Sequence, residues 1–261
     1  MTNDRSNVVS SFTIIKGSRI EETYVAFRGW SLDRPKQENL LRLREENPIG
    51  AASANWLRDV IFVISRRFDT EGRDRPLVEL AQAGLDRETW DPLLLWHMTR
   101  DEFLVRDFLV SWLYPRYVEG AYRLETGEVT EYLGSLVGRD GIEWSGAWTA
   151  STTKRVASGL LRMAADFGLV KGGIAKHFAS YHLPEPSFLY ILHAIAESET
   201  SVDKIIASPD WRMYLLGPDD VERQIVHLHQ YRKLHYEVAG SLAQLTLPCR
   251  TAAEFARGMA A

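Results

Sequence analysis

Between Gly141 and His182 the chain carries Lys154, Arg155, Arg162, Lys171 and Lys176 against only Glu143 and Asp166. Three of these cations share one side of a helical pattern. At about 100° per residue from Thr149 onward, Val156, Leu160, Met163 and Phe167 gather on one face, and Ser151, Lys154, Arg155, Ser158 and Arg162 on the opposite one. Lysine and arginine neutralise phosphates, arginine reads guanine edges, and short hydroxyl side chains allow a backbone or base to come close. The chemistry implied is recognition of duplex DNA rather than bond making. Leu161 falls toward the polar side of this wheel, where an exposed apolar residue would instead suit a docked protein. A charged, solvated helix face with no partner is the plainest alternative.

The residues after this helix place it in a larger unit. Gly168-Leu169-Val170 reads as a C-cap glycine leading into a strand, and Lys171-Gly172-Gly173 as a turn back into Ile174 to Tyr181. Helix, strand, basic turn, strand is the order of a winged helix, which makes Lys171 and Lys176 candidate phosphate contacts. Val221, Ile225 and Leu228 mark a further helix. Leu234, Tyr236 and Val238 then alternate into Ala239-Gly240-Ser241 and are answered by Ala243, Leu245 and Leu247, a second hairpin. Arg232 and Lys233 precede it as secondary candidates for DNA contact, although cations also suit a helix C-terminus. Arg58, Arg66 and Arg67 form another secondary set, on a helix from Ser53 to Phe68 that follows the Pro48–Gly50 turn. Helix pairs of this kind also arise from packing alone.

The rest of the chain reads as helices. Expected segments run from Ser18 to Gly29, from Asp33 to Asn47, from Arg75 to Ala83, from Asp91-Pro92 to Met98 and from Asp101 to about Tyr117. The pattern weakens between Glu119 and Gly127. That divides the chain into an N-terminal helical bundle, 1–125, with a helix-turn-helix-like pair, and a C-terminal winged-helix-like unit, 126–261, with two helix-plus-hairpin units. The expected class is mainly α, with two helical sub-domains and short β-hairpins. A short helix is expected at Val129–Leu136 and helices at Phe188–Glu197 and Asp219–Tyr231, with the segment Ser201–Ala207 between these two, and loops at Gly138–Gly146 and between Pro209 and Pro218.

Composition bounds the function. The 261 residues hold 31 Lys plus Arg against 35 Asp plus Glu, for a formal net charge of −4, so attraction for nucleic acid must come from a local patch. The single cysteine, Cys249, excludes an internal disulfide and Cys-pair metal sites and fits a reducing cytoplasm. The polar N-terminus lacks a signal-peptide pattern. Leu93–Tyr114, the most apolar stretch, is interrupted by His97, Arg100, Asp101, Glu102, Arg106 and Asp107, so no membrane insertion is expected. His227 and His229 stand two apart on a helix and diverge, which opposes a zinc site. No phosphate-cradling glycine loop, dinucleotide fingerprint or nucleophile elbow is present. The reading is a non-enzymatic, cytoplasmic DNA-binding protein without metal or cofactor.

Several short features also fall in a familiar order. They are Ser11-Phe12-Thr13 followed by a helix with Glu21, the segment Arg44–Phe68 ending Ile64-Ser65-Arg66-Arg67-Phe68, Trp148-Thr149 leading into Thr153–Met163 with Phe167-Gly168-Leu169, and the Gly240-Ser241 turn. In these the chain resembles the BrxA family, a small component of BREX bacteriophage-defence systems. The resemblance implies a mainly helical protein of two sub-domains with helix-turn-helix-like elements, and double-stranded DNA binding in an accessory role beside other BREX subunits. It supplies no catalytic residues. The alternatives are an interaction scaffold of the defence complex without direct DNA binding, or a winged-helix transcription regulator.

Overall fold

Apolar residues at helical spacing, broken by prolines, glycines and capping side chains, divide this chain into many short helices. The computed structural model describes residues 5–240 and 242–260. Strand β1 (Val8–Val9) precedes α1 (Phe12–Lys16), and a turn with Gly17 and Arg19 at positive φ leads into α2 (Ile20–Arg28). Next come α3 (Lys36–Glu46), which ends at a left-handed Asn47, and α4 (Ala54–Arg67), where the Ser53 hydroxyl accepts from the Trp56 N–H. α5 (Arg75–Gln82) and α6 (Arg87–Met98) follow, and then α7 (Phe103–Asp107), a π-helical stretch Phe108–Leu113 and α8 (Tyr114–Val118) run on consecutively.

The second half contains α9 (Thr126–Ser135), β2 (Glu143–Trp144), α10 (Ala150–Asp166), β3 (Val170–Lys171), β4 (His177–Phe178), α11 (Glu185–Ala196) and α12 (Val202–Ile206). A 3-10 turn at Pro209–Tyr214, α13 (Pro218–Gln230), the hairpin β5 (His235–Ala239) with β6 (Leu242–Thr246), and α14 (Ala252–Ala260) complete it. The chain is mainly helical, as expected, with few and short strands.

Several boundaries differ from expectation. α6 starts at Arg87, because Asp86 caps it by accepting from the Thr89 N–H at 2.9 Å. Pro92 therefore lies inside the helix, where it lacks a donor. The expected loop between Pro209 and Pro218 holds the 3-10 turn, which buries Trp211, Met213 and Tyr214. The Gly138–Gly146 loop contains β2, paired in parallel with β1. Val238, expected to face inward, is 54% exposed. The hairpin is anchored through Tyr236, whose hydroxyl donates to Glu222 and whose N–H donates to His229 Nδ1, and through Ala243 and Leu245, which pack against the core. Ser241 of the expected turn lies outside the described residues.

Buried apolar side chains form one cluster running from Val9 to Ala256. Contacts cross residues 125 and 126 in both directions: β1 pairs with β2, α1 packs on α10, and α14 packs on α5 as well as α11. Within this frame sits a buried guanidinium. Arg67, at the end of α4, is 1% exposed. It donates through Nε to Glu102 (3.1 Å), through one terminal nitrogen to the Ser18 carbonyl (2.8 Å), and through the other to the carbonyls of Thr13 (3.1 Å) and Gly17 (3.0 Å). Glu102 also accepts from the Thr13 hydroxyl at 2.6 Å. Burial pulls the Arg67 pKa below its usual value, and Glu102 opposes that shift. Arg67 is thus not a surface cation, which removes it from the candidate DNA contacts.

Removing one partner of a buried ion pair leaves the other uncompensated. Arg67→Ala is expected to lower unfolding stability by about 3–5 kcal/mol, whereas Arg58→Ala, at an exposed position, should change it by no more than ~0.5 kcal/mol. Urea unfolding of the two variants measures the difference, and equal effects would contradict the role assigned to Arg67.

Candidate nucleic-acid interface

α10 has clear ends. The Thr149 hydroxyl accepts from the Thr152 N–H at 3.2 Å, satisfying one of the free donors of the first turn. At the other end Gly168 takes φ +74°, with Gly168 N–H bonded to the Ala165 carbonyl and Leu169 N–H to that of Ala164. This is a Schellman-type stop, which an L side chain at Gly168 would strain. Between the caps, Val156, Ala157, Leu160, Leu161, Met163 and Ala164 are buried. Ser151, Lys154, Arg155, Ser158 and Arg162 are exposed.

The wheel misplaces one residue. Leu161 is 2% exposed and belongs to the core rather than to the polar face. α10 packs against α9 and α1 as well as the body beneath it, so its buried arc is wider than a single-sided amphipathic helix would have. The support that an exposed Leu161 would lend to protein docking is therefore absent.

The contact with α1 depends on Gly159. A Cβ there would stand 3.0 Å from Ile14 Cγ2 and 3.1 Å from the Ile14 carbonyl oxygen, so the two backbones meet where no side chain intervenes. Farther along, the Ser18 hydroxyl donates to Asp166 at 2.5 Å, tying the turn after α1 to the last residue of α10. A groove of about 430 Å³ runs between Ile14, Ile15 and Gly17 on one side and the basic face of α10 on the other. All five helix residues singled out in the sequence line this groove. Among the described residues, Lys154, Arg155 and Arg162 have no ion pair and no side-chain hydrogen bond. Lys16, at the end of α1, is neutralised by Asp59 at 2.6 Å. The free positive charge in the groove thus comes from α10.

The hairpin after α10 is shorter than expected. Val170 pairs with Phe178 and Lys171 with His177, so the returning strand starts at His177 rather than Ile174. Gly172, at φ +115°, would place a Cβ 2.6 Å from the Ala175 carbonyl oxygen, so the turn takes up Ile174 as its tip, 98% exposed. Leu124 and Lys176 exchange both backbone hydrogen bonds, at 2.8 and 3.0 Å, adding a third strand position to the hairpin. Lys171 is exposed and unpaired among the described residues. Lys176 is half-buried and donates its ammonium to the Gly172 carbonyl at 2.5 Å, which turns it back toward its own loop.

The secondary candidates separate in the same way. Arg58 and Arg66 are exposed, with Arg66 3.4 Å from the Ser10 hydroxyl. Arg232 is exposed at φ +58° just after α13, and Lys233 is ion-paired with Glu185. No distance gathers these four with the α10 face. Of the histidines, His229 and His235 stack edge-on at 5.3 Å, and no group of three or more His, Cys, Asp or Glu among the described residues is arranged to hold a metal.

One polar constellation has no signal in the sequence. His97 Nδ1 lies 2.6 Å from Asp74, and its Nε2 lies 2.8 Å from the Tyr190 hydroxyl. All three residues are buried. Burial lowers the His97 pKa and raises that of Tyr190. A neutral imidazole then donates to Asp74 and accepts from Tyr190, which satisfies the chain internally. Residues 74, 97 and 190 are too far apart in sequence for spacing to reveal it.

Gly159→Val is expected to force α1 away from α10 and to lower stability by about 1–3 kcal/mol, read from urea unfolding. A variant as stable as the parent would mean that the close approach is not needed.

A family model described as BrxA matches residues 11–194, which takes in α1, the Arg67 clamp, all of α10 and the hairpin after it. No curated protein and no solved structure matches the chain. No helix among the described residues is long and apolar enough to cross a membrane. With well over half of its 261 residues matched, the chain belongs to the BrxA family.

Proposed function

We propose that this protein is a non-catalytic, double-stranded DNA-binding accessory component of a BREX phage-defence system. Family membership supplies the association with BREX, and the other BREX subunits are its expected partners. The observation that carries the DNA reading is the face of α10. Lys154, Arg155 and Arg162 stand exposed and unneutralised beside Ser151 and Ser158, on a chain whose net charge is −4. Cations left without partners on one face of an acidic protein are available to displace counterions from phosphates.

The arrangement around α10 supports a winged helix-turn-helix. In that reading α8 is the first helix, Leu124 the first strand position, α9 the second helix, α10 the recognition helix and the β3–β4 hairpin the wing. The N-terminal half of α10 would enter the major groove while Lys171 meets the backbone from the hairpin. Lys176 contributes once its short internal bond to Gly172 is given up. Arg58, Arg66 and Arg232 remain auxiliary phosphate contacts in this proposal.

A second reading rests on a different surface. Leu133, Val137, Trp144 and Trp148 line an apolar groove of about 730 Å³ between α9 and the start of α10, with Val137 69% exposed. Such a groove suits an apolar segment of another defence subunit, which would make the protein a scaffold. Complex formation without any duplex binding would select this reading.

Fluorescence anisotropy with a labelled duplex across a salt series tests the leading proposal. The parent should bind at low salt and lose affinity steeply as salt rises. The Lys154→Ala/Arg155→Ala/Arg162→Ala variant should bind at least ~10-fold more weakly, with the slope of log affinity against log salt reduced by about 3. Absence of binding at low salt, or an unchanged variant, would overturn it.

A further inference from the structure

A cavity of about 500 Å³ lies away from the α10 face, where the first turns of α5 and α14 meet the end of α6 and the middle of α11. Its volume suits a small molecule. Apolar wall is supplied by Pro76, Ala194 and Ala252. The floor includes His97 and Tyr190, which are buried and bonded to each other and to Asp74, and so form a rigid, satisfied surface.

The charges around the opening are unbalanced. Four arginines, Arg73, Arg75, Arg100 and Arg257, line it against Glu79 and Glu197. Two arginines are committed: Arg73 to Asp101 and Asp74, and Arg75 to Glu79 at 2.9 Å. Glu197 is likewise occupied, accepting from the Ala252 N–H at 2.7 Å. Arg100 and Arg257 have neither an ion pair nor a side-chain hydrogen bond among the described residues. Arg100 Nε is also buried without a hydrogen-bond partner, while its guanidinium carbon lies 5.8 Å from the Trp96 ring centroid. A buried donor left unmade is costly, and a planar guanidinium held against an aromatic ring offers its two terminal nitrogens to an oxyanion as a fork.

We propose that this cavity binds a small organic anion, whose phosphate or carboxylate head bonds Arg100 and Arg257 and whose body lies against Pro76, Ala194 and Ala252. The site is independent of the α10 face. It takes ligands of the size of a mononucleotide, and the occupied cavity links α5, α6, α11 and α14.

Calorimetric titration of the full-length protein with adenosine 5′-monophosphate, inorganic phosphate and succinate tests the proposal. Saturable binding of at least one probe with Kd of ~1 mM or tighter is expected, weakened at least ~10-fold by Arg100→Gln. Phosphate probes binding without succinate would assign the phosphate class, and succinate alone the carboxylate class. Arg257→Gln, at an exposed position, should weaken the same probe and serves if Arg100→Gln does not fold. The proposal is overturned if no probe binds with Kd of ~1 mM or tighter, or if binding survives both substitutions. It is also overturned if a short duplex displaces the probe, or if the Lys154→Ala/Arg155→Ala/Arg162→Ala variant no longer binds it.

Discussion

Arg67 joins segments of chain that no local rule would bring together. Its guanidinium leaves α4, crosses to Glu102 ahead of α7, and binds the carbonyls of Thr13, Gly17 and Ser18 around the end of α1. A buried arginine is tolerable only when its donors are met, and this one meets them with three backbone carbonyls and a carboxylate. The fixed turn has a direct structural consequence. Ile14 is held against Gly159, and Ser18 reaches Asp166, so α10 is gripped near its middle and at its end by the same short stretch of chain. The basic face is thereby oriented from its flank, while Lys154, Arg155 and Arg162 take no part in the grip.

This division of labour is visible in how the charges are spent. Arg5 and Arg106 both bond the buried Asp210, Arg139 bonds Asp107, and Arg87 bonds Glu21 and Asp91. Such arginines hold the helices to one another. Those on α10 make no ion pair among the described residues, although acidic residues outnumber basic ones in the chain. Leaving like charges unneutralised on one helix costs some stability through mutual repulsion, a cost that the proposed contact with a polyanion would offset.

Much of α10 could be read from sequence because its signals are local. Thr149 caps it, Gly168 ends it, and its apolar residues recur at helical spacing. Arg66 and Arg67 show where such reading stops. They are adjacent, identical in type and part of one motif, yet Arg66 is exposed and Arg67 is 1% exposed, because Glu102 and the 13–18 turn arrive from elsewhere. Leu161 falls on the wrong side of the wheel for a related reason, since α10 is covered by α9 as well as by α1 and its buried arc is wider than its own period shows. β1 and β2 are two residues each and lie far apart in sequence, so no alternation could announce them. The Asp74–His97–Tyr190 chain and the arginine-lined cavity are likewise products of tertiary packing alone.

The role proposed for the α10 face, held by the Arg67-anchored turn, is to meet duplex DNA. Amide hydrogen exchange with and without a saturating short duplex at low salt tests it most directly. The account predicts new protection concentrated in residues 149–162 and 170–176, with the cavity segments 190–197 and 251–257 unchanged. Protection confined to other segments, with α10 exchanging as in the free protein, would contradict it.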